Sequence, residues 1–119
     1  RQAIGTAHGI YPKDMKPELR IDILKDITNQ VDVPLVLHGG SSNKDEEIAA
    51  AVANGICKIN ISSDIKVAFY TQCRKTLAEN PGYREPLEIY PDAMEACGKV
   101  VEEKIRLFNS NDKVKCYYE

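Results

Sequence analysis

Pro34-Leu35-Val36-Leu37-His38-Gly39-Gly40-Ser41 reads as a strand that runs into a glycine turn, with a histidine where the strand stops. Its apolar run has no polar alternation, the pattern of a parallel strand covered on both faces. A helix start follows. Ser42 or Asn43 is placed to cap it, Asp45, Glu46 and Glu47 fill its first turn at the positive end, and Ile48 to Ala53 lead to an Asn54-Gly55 stop. Ile56-Cys57-Lys58-Ile59-Asn60 is then another short strand. Asp64 to Glu79, carrying Ile65, Ala68, Phe69 and Leu77, predicts a long helix closed by Asn80-Pro81-Gly82.

Upstream, Leu19, Ile23, Leu24 and Ile27 fall at i, i+4, i+5 and i+8, one stripe of an amphipathic helix. Before it, the short apolar run from Gln2 to Thr6 reads as a first strand ending in Ala7-His8-Gly9, with a loop through Tyr11, Pro12 and Pro17. Strand, loop and helix thus recur three times. Short connections between them require parallel strands with helical crossovers, so the class is α/β, a layer or a (β/α) barrel. Downstream, a polar stretch from Pro81 to Pro91 precedes a helix from Asp92 to about Phe108, with Met94, Cys97, Val101, Ile105 and Phe108 expected on one face. The chain therefore divides into residues 1–80, three β/α units, and residues 81–119, a linker and an appended helical arm. Its last residues are polar, with Tyr117 and Tyr118 as the side chains able to dock.

The composition of this 119-residue chain, 43% apolar and 29% charged with a formal charge of −2, is that of a globular protein. No basic cluster interleaved with aromatics is present, which argues against a nucleic-acid partner. No apolar run approaches the roughly 20 residues that span a bilayer, and the start lacks the order of a signal peptide, so a cytoplasmic protein without a membrane partner is expected. Cys57, Cys73, Cys97 and Cys116 lie 16, 24 and 19 positions apart. That spacing is neither a metal knuckle nor a disulfide framework, and plain thiols are expected.

In a parallel layer all strand C-termini face one rim, so His8, His38 and Asn60 are expected together there. Two imidazoles from adjacent strands suit a zinc-like ion, whose catalytic sites use about three protein ligands and keep a position open. Each histidine taken alone reads equally as a partly buried, satisfied ring. These are the chain's two histidines, each followed by glycine, and that context favours a metal site. Gly39-Gly40-Ser41-Ser42 and Asn60-Ile61-Ser62-Ser63 join strand ends to helix starts, an arrangement suited to phosphate; plain capping by Ser42 and Ser63 is the structural alternative. Lys58 reads either as a Schiff-base lysine, which implies a metal-free route, or as an inward charge paired with a carboxylate. Asp14, Asp45, Glu46 and Asp64 read as solvated or capping charges.

Three motifs, Ala3-Ile4-Gly5-Thr6-Ala7-His8-Gly9, Pro34 to Ser41, and Gly55-Ile56-Cys57-Lys58-Ile59-Asn60-Ile61-Ser62-Ser63, resemble class II fructose- and tagatose-bisphosphate aldolases. The resemblance runs from about Gln2 into the last helix. It implies the C-terminal part of a TIM (β/α)8 barrel and a zinc-dependent lyase of carbohydrate metabolism and glycolysis, which reversibly cleaves a ketose bisphosphate to dihydroxyacetone phosphate and glyceraldehyde 3-phosphate. His8 and His38 would be zinc ligands, with a third histidine and the acid–base aspartate supplied by earlier strands. Gly9 would meet dihydroxyacetone phosphate; Gly39, Gly40, Ser41 and Ser63 would take its phosphate; Asn60 would lie near the reacting carbons, with Ile61 and Ser62 contacting substrate from the same loop.

Two positions depart from the common family pattern. Many members carry alanine where Gly40 stands, and Ser62-Ser63 replaces variants with threonine. The tagatose type looks nearer than the fructose type, from Gly5 to Gly9 and the compact ending. A monovalent cation beside zinc, a homo-oligomer of two or four subunits and a phosphorylated-sugar substrate complete what the resemblance implies. Such a barrel needs roughly 250 residues. This chain alone is therefore expected to be inactive, and a continuation or another copy is expected to cover the open strands. A non-catalytic accessory subunit of an aldolase, with the same barrel, is the alternative.

Overall fold

The computed structural model describes Ile4, Gly5 and residues 18–118. The first predicted strand lies outside these residues except for Ile4 and Gly5, which form a bend. Helix α1 (Ile21–Thr28) leads to strand β1 (Leu35–Leu37), a 3-10 turn (Gly40–Ser42), helix α2 (Asp45–Ala53) and strand β2 (Ile56–Ile59). Helices α3 (Ser63–Glu79), α4 (Pro86–Ile89) and α5 (Pro91–Leu107) follow, then a final 3-10 turn at Val114–Tyr117. The α/β reading holds.

Strands β1 and β2 pair in parallel, Leu35 with Ile56, Val36 with Lys58 and Leu37 with Ile59, with an irregularity between Leu35 and Val36. α2 is the crossover between them, as parallel pairing requires. One face of this ribbon packs on the helices. Ile4, Leu19, Leu24, Leu37, Ile48, Ala51 and Ile56 form the core, with Ile23, Ile27, Leu35, Ile59, Leu107 and Phe108 packed against it. The opposite face is open: Val36 is 43% exposed and Lys58 is exposed. Among the described residues one layer of helices meets the strands, so the covering that their apolar runs expect is present on one face and the other is left open, as expected for part of a barrel.

Side chains that join elements explain the turns. Thr28 donates its hydroxyl to the carbonyls of Leu24 at 2.9 Å and Asn54 at 3.1 Å, tying the end of α1 to the end of α2. Gly55 turns there at φ +106°, and a Cβ on it would lie 2.8 Å from the Thr28 Oγ1. Only glycine fits this turn. At the other end of α2 the cap is Lys44, just past the expected Ser42 or Asn43. The Glu47 carboxylate accepts from the Lys44 N–H and the Asn43 amide, both at 3.3 Å, and from the Leu19 N–H at 3.4 Å. A side chain inside the helix thus satisfies three donors on two segments.

The last helix begins with Pro91 and packs along α3. Its inward face is the expected one only at Cys97 and Phe108. Ala93 is fully buried, whereas Met94, Val101 and Ile105 are 67%, 42% and 41% exposed. Small Ala93 and half-buried Cys97 face α3, where the Cys97 thiol lies 3.6 Å from the Ile65 carbonyl and Thr76 meets Asp92 at 3.4 Å. The Phe69 and Tyr90 rings add a tilted pair 5.4 Å apart. The expected linker contains α4, whose Glu88 carboxylate accepts from the Arg84 and Glu85 N–H groups. Tyr117 and Tyr118 do not dock, remaining 84% and 86% exposed.

The chain spreads over 58 × 45 × 22 Å. Its radius of gyration is 17.7 Å, against about 13.5 Å for a compact domain of this length. All four cysteines are free. No helix among the described residues is long and apolar enough to cross a membrane. Leu24, 1% exposed at the centre of the core, is the side chain whose loss leaves the largest void. Leu24→Ala is expected to lower unfolding free energy by about 2–5 kcal/mol, measured by urea titration; a change within error would show that the core does not depend on this contact.

Candidate functional site

Parallel pairing places the carboxyl ends of β1 and β2 side by side, and the ladder continues one residue further because the Asn60 N–H donates to the Leu37 carbonyl at 3.1 Å. His38 and Asn60 thus leave their strands as neighbours. The Asn60 amide nitrogen lies 3.1 Å from His38 Nδ1, with His38 exposed and Asn60 half-buried. Alternation sets Val36 and His38 on one side of β1, and Lys58 and Asn60 on the matching side of β2. This side is the open face.

Gly39 makes the turn after His38 in the left-handed region, at φ 74° and ψ 27°. Any L side chain there is strained. Gly40 is buried for another reason: an added Cβ would stand 3.3 Å from methyls of both Ile48 and Ile59. Its backbone lies directly on the core. The 3-10 turn from Gly40 to Ser42 follows, with the Asn43 N–H reaching the Gly40 carbonyl at 3.4 Å. The second loop runs from Asn60 through half-buried Ile61 and exposed Ser62 to Ser63, the first residue of α3. Ser62, not Ser63, holds the cap position, and its side chain makes no capping bond.

The two loops and the two strand-end residues His38 and Asn60 therefore lie together, whereas His8 and Gly9 fall outside the described residues. Lys58 stands on the same face but is exposed, opposite Val36, and the described residues record no ion pair for it. Asp45 is exposed, as expected for a capping charge. Asp64 is not solvated: its Oδ2 lies 3.1 Å from Lys104 Nζ, and Lys104 also approaches Asp45 at 3.8 Å. Sequence reading missed this contact. Lys104 is 40 positions from Asp64, and no local pattern links them.

An exposed imidazole hydrogen-bonded at one ring nitrogen by a neighbouring amide has the chemistry of a zinc ligand, which binds through one ring nitrogen while the other makes a hydrogen bond. Asn60 suits either ring tautomer, presenting N–H₂ to a bare Nδ1 or, turned over, its carbonyl to a protonated one. His38 fits as one donor. Among the described residues no group of three or more His, Cys, Asp or Glu is placed to complete a metal site.

The sequence model of the family described as fructose-bisphosphate aldolase class-II matches residues 2–113. The chain is 38% identical over 115 residues to a protein named sulfofructosephosphate aldolase from Alkalicoccus urumqiensis, covering 97% of this chain and 39% of that protein. It is 39% identical over 104 residues to the D-tagatose-1,6-bisphosphate aldolase subunit GatY of Klebsiella oxytoca, covering 87% of this chain and 36% of that protein. The crystal structure of the YdjI aldolase from Escherichia coli K12 matches with a TM-score of 0.77 at 35% identity, over 93% of this chain and 39% of that one. A fructose-bisphosphate aldolase from Campylobacter jejuni shares the fold, with a TM-score of 0.71 at 24% identity over 89% of this chain and 38% of that one. The chain spans about two fifths of the length of these relatives.

The two glycines of the first loop are expected to respond differently to alanine. Gly39→Ala introduces left-handed strain of about 1–2 kcal/mol, whereas Gly40→Ala needs only a small shift of flexible Ile48 and Ile59 methyls. Thermal melts of the two variants compare them directly; a larger loss for Gly40→Ala would contradict this account of the loop.

Proposed function

This chain belongs to the class II fructose-bisphosphate aldolase family, and from that premise we propose that it is part of a zinc-dependent aldolase cleaving a ketose bisphosphate, with tagatose 1,6-bisphosphate as the first candidate. The products would be dihydroxyacetone phosphate and glyceraldehyde 3-phosphate. One observation carries the reading most: His38 and Asn60, 3.1 Å apart, emerge from adjacent parallel strands beside a glycine turn. The open strand face supports the rest. In this reading residues 1–80 are the last three β/α units of a barrel, 81–119 are its C-terminal arm, and the remaining units cover Val36 and Lys58.

His38, with His8, would hold zinc, which supplies Lewis-acid stabilisation to oxygens that gain charge during the reaction. Asn60 would orient His38 and present its amide toward the reacting carbons. Gly39, Gly40, Ser41 and Ser63 would bind the substrate phosphate through N–H and hydroxyl groups at the starts of two helices. Gly9, Ile61 and Ser62 would complete the contacts. Binding the phosphate away from the bond that breaks fixes the substrate's orientation, an effect worth up to about 7–11 kcal/mol. Proton transfer would fall to residues beyond this chain. A cytoplasmic homo-oligomer, dimer or tetramer, and a monovalent cation beside the zinc belong to the same proposal.

The name of the Klebsiella relative includes the word subunit, which keeps a second reading in view, an accessory subunit of the same shape. Turnover separates the two. The intact protein is expected to cleave tagatose 1,6-bisphosphate, to lose activity on exhaustive chelation and to regain it with zinc. Asn60→Ala is expected to weaken zinc binding or activity about 10–100-fold. Cleavage that survives chelation and is lost in Lys58→Met would favour a Schiff base instead; no cleavage under any condition would favour the accessory subunit.

A further inference from the structure

The two loops assigned above to the substrate phosphate each lead into a helix with acidic residues in its first turn: α2 carries Asp45, Glu46 and Glu47, of which Glu47 is engaged by N–H donors, and α3 carries Asp64 as its second residue. Such carboxylates suit the helix dipole but compete with an incoming anion for the same positive end. Asp45 and Asp64 meet one cation. Lys104, from the last turn of α5, lies 3.1 Å from Asp64 Oδ2 and 3.8 Å from Asp45 Oδ1. Its side chain is 22% exposed and that of Asp64 23%, so this pair is more shielded than the surface pairs Arg20–Asp22, Glu95–Lys99 and Glu102–Arg106. The Asp64 Oδ2 atom has no solvent contact and no other hydrogen-bond donor among the described residues. Lys104 is held in place in turn, because Leu107 and Phe108 just beyond it pack against the core.

We infer that Lys104 is a positioning residue for the phosphate loops: its one positive charge is shared between Asp64 and Asp45 and joins the starts of α2 and α3, so that less uncompensated negative charge stands behind the N–H groups that would face an anion. The last helix thereby becomes part of the substrate-binding apparatus while touching no substrate. Removing the Lys104 charge leaves the half-buried Asp64 carboxylate unpaired and adds net negative charge near the loops, and both effects oppose a phosphate dianion. The inference rests on the proposed phosphate site.

Inorganic phosphate is the probe, titrated by calorimetry into the intact protein, with steady-state kinetics on the sugar bisphosphate alongside. Lys104→Met is expected to weaken phosphate binding about fivefold or more, the order set by one unit of charge at a partly solvated site. KM should rise by a similar factor while kcat stays near its starting value. Lys104→Arg should retain the affinity. Lys104→Met combined with Asp64→Asn should recover much of it, a rescue that general loosening of α5 would not give, and it remains readable if the single Met variant folds poorly. Phosphate binding by the unmodified protein that is equal in Lys104→Met overturns the inference and leaves the phosphate site standing. No phosphate binding by the unmodified protein removes both.

Discussion

The parallel pairing of β1 with β2 is the constraint on which the rest of this structure depends. Two strands that run the same way must be joined by a crossover, so α2 lies on one face of the ribbon and both carboxyl ends reach the same rim. The backbone bond from Asn60 to the Leu37 carbonyl extends the ladder to the point of departure. His38 and Asn60 then have nowhere to go but side by side. Gly39 turns the chain away immediately afterwards, and Gly40 brings its backbone down onto Ile48 and Ile59, so the loop is fixed from below by the core.

Among the described residues the same ribbon is covered on one side only. Leu37, Ile56 and Ile48 are buried against helices, while Val36 and Lys58 look outward on the face that also carries His38 and Asn60. A slab with an exposed strand face is a poor end state for a soluble chain, since apolar surface and strand edges invite association. The relatives extend well beyond the matched region, and in the proposed reading their remaining strands meet this face. The helices on the other side do more than fill space. Glu47 gathers three N–H donors from two segments, and Lys104 draws α5 to the starts of α2 and α3.

Much of this was legible in the residues. The short Leu35 to Leu37 and Ile56 to Ile59 runs and the Asn54-Gly55 stop mark the order of elements, because each is a local signal with a local cause. His38 and Asn60 could be placed at one rim from topology alone. Other features escaped the sequence. The cap at Lys44 was passed over because lysine is not a favoured cap residue, although Glu47 closes it from three positions on, and the buried side of α5 was misread in part because Met94, Val101 and Ile105 form an apolar stripe as regular as the side around Ala93 that α3 accepts. Periodicity reveals a stripe; it does not say which neighbour will cover it.

The central claim is that the end of β1 delivers a metal-ligating imidazole beside Asn60. Zinc K-edge X-ray absorption on the intact protein tests it most directly, by comparing the unmodified form with His38→Ala. The account predicts imidazole scattering from nitrogen at about 2.0–2.1 Å from zinc, with one imidazole fewer in the variant or no bound zinc at all. Bound zinc with an identical spectrum in both proteins would contradict it, because His38 would then be no ligand.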